Sequence, residues 1–119
     1  MPQPCVLVAE DAWSIAADLC KTVEEAGFHV EGPHCDISSA MLAFEKHRPD
    51  VAILDVQLDE GTAYALARKL ADEQVPIILH SWRYTNDEVL DKFPGVTTMA
   101  RPCPPAQMIA TVNQVLRIA

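Results

Sequence analysis

The sequence predicts one doubly wound α/β domain, in which five parallel strands in the order 2-1-3-4-5 carry helices on both faces. Two observations lead to this prediction. Apolar runs without a polar side occur at residues 5–9, 51–54 and 76–79, as is typical of parallel strands covered on both faces. Segments with apolar residues at helical spacing lie between the runs. Strands and helices that alternate through right-handed crossovers build a doubly wound sheet.

The first strand and helix are predicted at residues 5–26. Residues 5–9 form the strand, and the helix runs from Trp13 to about Ala26, where Gly27 provides the stop signal. The apolar positions of this helix recur at helical spacing and are predicted to face the core. They are Ile15, Ala16, Leu19, Val23 and Ala26.

The second strand is predicted to be a short edge strand at residues 28–31, broken by the Gly-Pro step at 32–33. Either Asp36 or Ser38 is predicted to cap the second helix. That helix should end before the Arg-Pro step at 48–49, because a residue that precedes proline avoids helical geometry.

The third strand, residues 51–54, leads directly to Asp55. Residues 59–62 are predicted to form the turn out of it, with Thr62 as the cap of the third helix. The inward face of that helix is predicted to comprise Ala63, Leu66, Ala67 and Leu70.

The last third of the chain supplies two more strands, at residues 76–79 and 96–100, and a final helix at 105–118. Residues 83–95 are polar with a weak helical pattern, which predicts at most a short helix. The whole order of elements is that of the flavodoxin-like class, whose ligand crevice lies between the first and third strands.

Length and charge restrict the function. At 119 residues the chain is long enough for one domain, predicted over residues 1–119. A formal charge of −8 argues against direct binding of nucleic acid or of an anionic membrane. The sequence has neither a signal-peptide pattern nor the ~20 apolar residues of a membrane span, so we expect a cytoplasmic protein.

The four cysteines contain no C-x-x-C pair. In a chain without a secretion signal this favours reduced thiols, which are most often buried. A metal or redox site that uses His34 and Cys35 remains a minor alternative, because its spacing does not match a zinc motif.

Three acidic residues follow predicted strands at the same edge of the sheet: Glu10 and Asp11 after the first strand and Asp55 after the third. Carboxylates that converge in this way favour a hard cation such as Mg²⁺. Asp11 and Asp55 are the expected ligands, a main-chain oxygen near Gln57 a third, and Glu10 is expected to act through its charge. The alternative is that Glu10 and Asp11 cap the first helix.

An aspartate beside a divalent cation can attack phosphorus and form an aspartyl phosphate. Ser81 follows the fourth strand and Arg101 the fifth, so a hydroxyl and a cation reach the same edge of the sheet as Asp55. Both groups suit contacts with a transferred phosphoryl group.

With these residues the chain resembles the response-regulator receiver domain along almost its whole length. The resemblance rests on Glu10-Asp11, on Asp55 after its apolar strand, on residues 76–81 and on Arg101-Pro102. It implies that Asp55 is the phospho-acceptor, that Glu10 and Asp11 form the Mg²⁺-binding pair, and that Ser81 is the switch hydroxyl.

The resemblance also implies that a histidine kinase or a histidine phosphotransfer protein donates the phosphoryl group. It further implies a downstream protein partner that binds the surface between the fourth and fifth strands. A homodimer is possible as well. Residues 55–102 are also similar to a subgroup of stand-alone alphaproteobacterial receivers with the motif P-F-x-F-A-T-G-Y.

The chain departs from the receiver pattern at two positions. Arg101 stands where receivers usually carry lysine, and its longer planar head group grips phosphate differently. Thr98 stands where many receivers have a rotating aromatic residue. These departures leave a second interpretation open, a phosphorylation-impaired pseudo-receiver that acts as a protein-binding module.

Overall fold

The structure is a computed structural model that describes residues 3–55, 57–58, 61–62, 64–81, 96–100 and 103–118. Its strands and helices are β1 (Cys5–Ala9), α1 (Trp13–Glu25), β2 (His29–His34), α2 (Ile37–Lys46), β3 (Val51–Leu54), β4 (Gln57–Leu58), β5 (Gly61–Thr62), α3 (Tyr64–Asp72), β6 (Ile77–Ser81), β7 (Thr97–Ala100) and α4 (Pro105–Ile118). The predicted segment at residues 83–95 lies outside the described ranges.

Five strands form one parallel sheet in the order β2-β1-β3-β6-β7, which confirms the predicted order 2-1-3-4-5 and the flavodoxin-like class. The strand β1 pairs with β3 in a register that sets Ala9 beside Leu54. The two residues of β4 pair with those of β5 in a separate antiparallel ribbon.

The central strands are buried on both faces, as their apolar sequences predict. Alternate residues of each strand point to opposite faces, so the sheet separates two cores. The core against α1 and α4 contains Val6, Val8, Val51, Ile53, Ile78, Met108 and Val112. The core against α2 and α3 contains Leu7, Ala9, Ala52, Leu54, Phe44, Leu66, Leu70 and Leu79.

The prediction that a Gly-Pro step ends the second strand is wrong. The strand β2 continues through Gly32 and Pro33 to His34. Leu7 pairs with Glu31 and Ala9 with His34, so two steps along β1 correspond to three along β2. The extra residue forms a bulge, and an edge strand tolerates proline at a bulge because no inner ladder bond is lost.

Of three residues predicted to begin or end a helix, two have the predicted role. Gly27 follows α1 with φ of 98°, as expected for the glycine after a helix. Asp36 caps α2, since its carboxylate accepts a 2.7 Å hydrogen bond from the amide of Ser39. The prediction for Thr62 is wrong: α3 begins at Tyr64, and Thr62 pairs with Gln57 in the ribbon.

All four cysteines are free thiols. Cys5 and Cys20 are buried as predicted, whereas Cys35 is exposed and Cys103 is intermediate. Burial raises the pKa of Cys20 to about 11, because a charged thiolate loses its hydration there. None of the helices in the described ranges has both the length and the apolar character that crossing a membrane requires.

Candidate functional site

Backbone hydrogen bonds of the sheet hold two of the three acidic residues in place. The amide of Glu10 donates to the carbonyl of His34 at 2.9 Å, and the amide of Asp55 donates to the carbonyl of Ala9 at 2.9 Å. Glu10 therefore extends the pairing of β1 with β2, and Asp55 extends that of β3 with β1. Both lie at the carboxyl edge of neighbouring parallel strands, where a doubly wound sheet forms its crevice.

The acidic cluster consists of Glu10, Asp11 and Asp55, each of which offers a carboxylate oxygen within 4.8 Å of the others. The sequence predicted that these three residues converge. Glu10 is 2% exposed and Asp55 is 6% exposed, whereas Asp11 is exposed to solvent. Two carboxylates of the cluster are thus buried, and Asp11 is the one exposed to solvent.

Glu10 also supports the entry to α1. Its Oε1 accepts a 3.0 Å hydrogen bond from the amide of Ala12, the N-cap residue, whose own side chain makes no capping bond. The alternative that the acidic pair caps the first helix therefore accounts for one contact of Glu10. It does not explain why Glu10 lies close to Asp55.

The donor set of the acidic cluster fits a hard divalent cation. With both side chains ionised, Glu10 and Asp55, whose carboxylate oxygens lie within 4.8 Å of each other, would repel each other by at least about 3 kcal/mol in a medium of effective dielectric constant ~20. A cation between them would remove this repulsion, and an all-oxygen donor set with one solvent-exposed carboxylate suits Mg²⁺, which keeps several waters in its shell. Within the described ranges, His34 and Cys35 belong to no such group of ligands.

The strand β6 brings Ser81 to the same edge of the sheet. Leu54 in β3 pairs with Leu79 in β6, so Asp55 is level with His80, and Ser81 lies one residue further along. The backbone of Ser81 also pairs with Ala100 at the end of β7. Gln57 begins β4, two residues after Asp55. Arg101 lies outside the described residues.

Two further residues adjoin members of the site along the chain: His80 precedes Ser81, and Trp13 follows Asp11 by two positions. His80 is 7% exposed, and burial lowers the pKa of its imidazole, which favours the neutral form. Trp13 is the first residue of α1 and is 75% exposed. The sequence could have predicted this exposure, because Trp13 is not among the apolar positions predicted to face the core.

Comparisons with known proteins bear on the family and the fold of the chain. The family model for the response regulator receiver domain matches residues 6–112. Transcriptional regulatory protein CseB of Streptomyces avermitilis is 34% identical over 97% of this chain and 50% of its own length. Transcriptional regulatory protein PdtaR of Mycobacterium tuberculosis is 26% identical over 80% of this chain and 46% of its own. This chain thus spans about half the length of these curated relatives.

Solved structures show the same fold. The non-phosphorylated HemR receiver domain from Leptospira biflexa superposes with a TM-score of 0.86 at 21% identity, covering 98% of this chain and 97% of that one. Chemotaxis protein CheY4 of Vibrio cholerae, crystallised at low pH, gives 0.82 at 25% identity, covering 95% and 98%.

Proposed function

Because the chain belongs to the response regulator receiver domain family, we propose that its Asp55 accepts a phosphoryl group from a histidine kinase or a histidine phosphotransfer protein. Phosphoryl acceptance in two-component signalling is the general function of receiver domains. The observation that carries the proposal for this chain is the convergence of Glu10, Asp11 and Asp55 within 4.8 Å.

The proposed step is one in-line phosphoryl transfer. A carboxylate oxygen of Asp55 attacks the phosphorus of the donor's phosphohistidine, the new P–O bond forms as the P–N bond breaks, and the released imidazole nitrogen takes a proton from solvent. The product is an aspartyl phosphate on Asp55.

The residues that would hold Mg²⁺ are Glu10, Asp11 and Asp55, with the main-chain oxygen of Gln57 as a further ligand. When bound, the cation offsets the negative charge of the carboxylates and of the phosphoryl oxygens. Glu10 keeps the entry to α1 in place through its bond to the amide of Ala12. Asp11 is the solvent-exposed member of this set.

Ser81 and Arg101 are proposed to read the modification. The end of β6 lies beside the strand that carries Asp55, which supports a contact between the Ser81 hydroxyl and a phosphoryl oxygen. Arg101 follows β7 and would supply the cation. Phosphorylation would then shift the population of two conformations and change a partner-binding surface near β6 and β7.

Intact-mass measurement after incubation with Mg²⁺ and acetyl phosphate tests the proposal. We expect one added phosphoryl group on the wild-type chain and none on Asp55→Asn. Omission of Mg²⁺ should slow the reaction strongly. An adduct that persists in Asp55→Asn, or a reaction indifferent to Mg²⁺, would contradict the assignment.

The second candidate function is a pseudo-receiver that binds a protein partner without phosphorylation. It is favoured by Arg101 in place of the usual lysine and by Thr98, which is exposed on β7. The absence of any adduct with acetyl phosphate and with protein donors would favour this function. Arg101→Lys provides a matched comparison, because unchanged rates and lifetimes of the phosphorylated form would remove the argument from that position.

A further inference from the structure

A short antiparallel ribbon follows Asp55, and the main sheet does not account for it. The strand β4 (Gln57–Leu58) pairs with β5 (Gly61–Thr62), and this pair is separate from the five-stranded sheet. A ribbon of this size is at best marginally stable in water by itself. The chain is anchored on both sides of it, because the amide of Asp55 donates to the carbonyl of Ala9 and α3 begins at Tyr64.

The register of the ribbon determines which backbone groups it uses. Gln57 is opposite Thr62, and Leu58 is opposite Gly61, with two residues between the strands. A two-residue connection closes as a β-turn, in which the carbonyl of Leu58 accepts from the amide of Gly61. Bonded and non-bonded pairs alternate along an antiparallel ladder. Gln57 and Thr62 are therefore the non-bonded pair, so their amides and carbonyls point away from the opposite strand.

This register leaves the main-chain carbonyl of Gln57 accessible to a cation. Gln57 follows Asp55 by two residues, so their Cα atoms are at most about 7 Å apart. The carboxylate of Asp55 belongs to the acidic cluster, and carbonyl oxygens suit the same hard cations as carboxylates. A carbonyl on a mobile loop would have to be ordered when the cation binds, and fixing the backbone of one residue corresponds to about a tenfold change in an equilibrium constant.

We propose that the ribbon is a positioning element of the metal site and that Gly61 is its positioning residue. The bond from the amide of Gly61 fixes β4, and β4 in turn orients the carbonyl of Gln57. In this role Gly61 acts through Gln57 and is not itself a ligand. The inference rests on the proposed function, because it takes the acidic cluster as a site for Mg²⁺.

Two proline substitutions separate the bonded pair from the non-bonded pair. Gly61→Pro removes the amide that closes the ribbon, whereas Thr62→Pro removes an amide that the ribbon does not use. Isothermal titration calorimetry with MgCl₂ measures the affinity of each variant. We expect Gly61→Pro to bind Mg²⁺ about tenfold more weakly than the wild type and Thr62→Pro to stay within about twofold. The thermal midpoints in EDTA should change little, because the ribbon lies outside the main sheet.

Amide hydrogen exchange followed by NMR tests the same coupling in the wild-type chain, and it decides the question if Gly61→Pro does not fold. Coupling between two binding events is reciprocal, so a ribbon that favours Mg²⁺ binding is itself stabilised by Mg²⁺. Saturating MgCl₂ should slow the exchange of the Gly61 amide by up to about tenfold. The amide of Thr62 should be affected less.

Equal Mg²⁺ affinities of the wild type and Gly61→Pro would overturn the inference. Equal losses in the two proline variants, or an exchange rate at Gly61 that Mg²⁺ leaves unchanged, would do so as well. In these cases the wild type still binds Mg²⁺, so the acidic cluster and the role of Asp55 are unaffected. If calorimetry detects no binding of Mg²⁺ to the wild type, the proposed metal site itself fails, and the inference with it.

Discussion

Replacement of Gly32 by alanine tests how closely the edge strand is packed against the strand that ends in the acidic cluster. A Cβ on Gly32 would lie 2.7 Å from the carbonyl oxygen of Val8 and 3.2 Å from the amide nitrogen of His34. Both neighbours are backbone atoms, so neither can move aside by changing a rotamer. The φ of Gly32 is +133°, a conformation that side chains with a Cβ rarely adopt.

Gly27→Ala is the matched control, because Gly27 also has a positive φ of 98° but no heavy atom lies within 4 Å of the position that a Cβ would take there. In both substitutions a residue with a Cβ must adopt a positive φ, which costs about 1–2 kcal/mol. Alanine also lowers the conformational entropy of the unfolded chain, which stabilises the folded protein by about 0.4–1 kcal/mol. Overpacking adds about 1–3 kcal/mol at Gly32 alone. We therefore expect a loss of roughly 1 kcal/mol for Gly27→Ala and about 3 kcal/mol for Gly32→Ala.

Urea unfolding followed by circular dichroism measures both losses, provided that the m-values are unchanged. The effect should extend to the site, since the carbonyl of His34 accepts the hydrogen bond from the amide of Glu10. Gly32→Ala should consequently need more Mg²⁺ for half-maximal labelling by acetyl phosphate, and Gly27→Ala should not. Equal destabilisation by the two substitutions would refute the close approach of β2 to β1.

Three further predictions concern charge and ionisation. Mg²⁺ should raise the thermal midpoint of the wild type by mass action, and Asp11→Asn should abolish most of this rise; an equal rise in both would contradict the ligand assignment. The hydrogen bond from the Ser39 amide lowers the pKa of Asp36 below its ordinary value of 3.8, so the stabilisation by this cap is complete above that pH and is lost as the pH falls further. Thermal melts should show the difference between wild type and Asp36→Ala shrinking below about pH 3.8, and a constant difference would exclude the cap. Cys20, with a pKa of about 11, keeps its proton in the folded chain while the unfolded thiol ionises near 9.0, so its contribution to stability is lost between these two pH values. Ellman's reagent at neutral pH should modify the exposed Cys35 rapidly and Cys20 only after unfolding, and rapid modification of Cys20 would contradict its burial.

Sequence patterns correctly predicted the strands and helices whose signal lies within a single segment of the chain. The strands β1 and β3 and the helix α4 were identified from their own residues, because burial on both faces and helical spacing are visible within one segment. The convergence of Glu10, Asp11 and Asp55 followed from the order of the strands together with the rule that ligands bind at their carboxyl ends. The roles of these three residues, like those of Ser81, Arg101 and Gln57, remain predictions.

The errors arose where a residue's structure depends on a distant partner. Gly32 and Pro33 carry a local signal for a chain break, but β1 pairs on both sides of them and retains the strand as a bulge. Thr62 has the chemistry of a helix cap, but its backbone pairs with Gln57. Local preferences of about 1 kcal/mol are readily outweighed by such pairing.

The sequence by itself determined the class of the fold and the three carboxylates of the acidic cluster, because hydrophobic period and strand order follow from the chain's own pattern. The tertiary structure decided the register of Ala9 with Asp55, the bulge that sets the carbonyl of His34 beside Glu10, and the burial of Glu10 and Asp55 beside an exposed Asp11. It also decided that Trp13, two residues after Asp11, is exposed. The physical reason is that burial and register are properties of pairs of segments distant in sequence, and they exist only once the chain has folded.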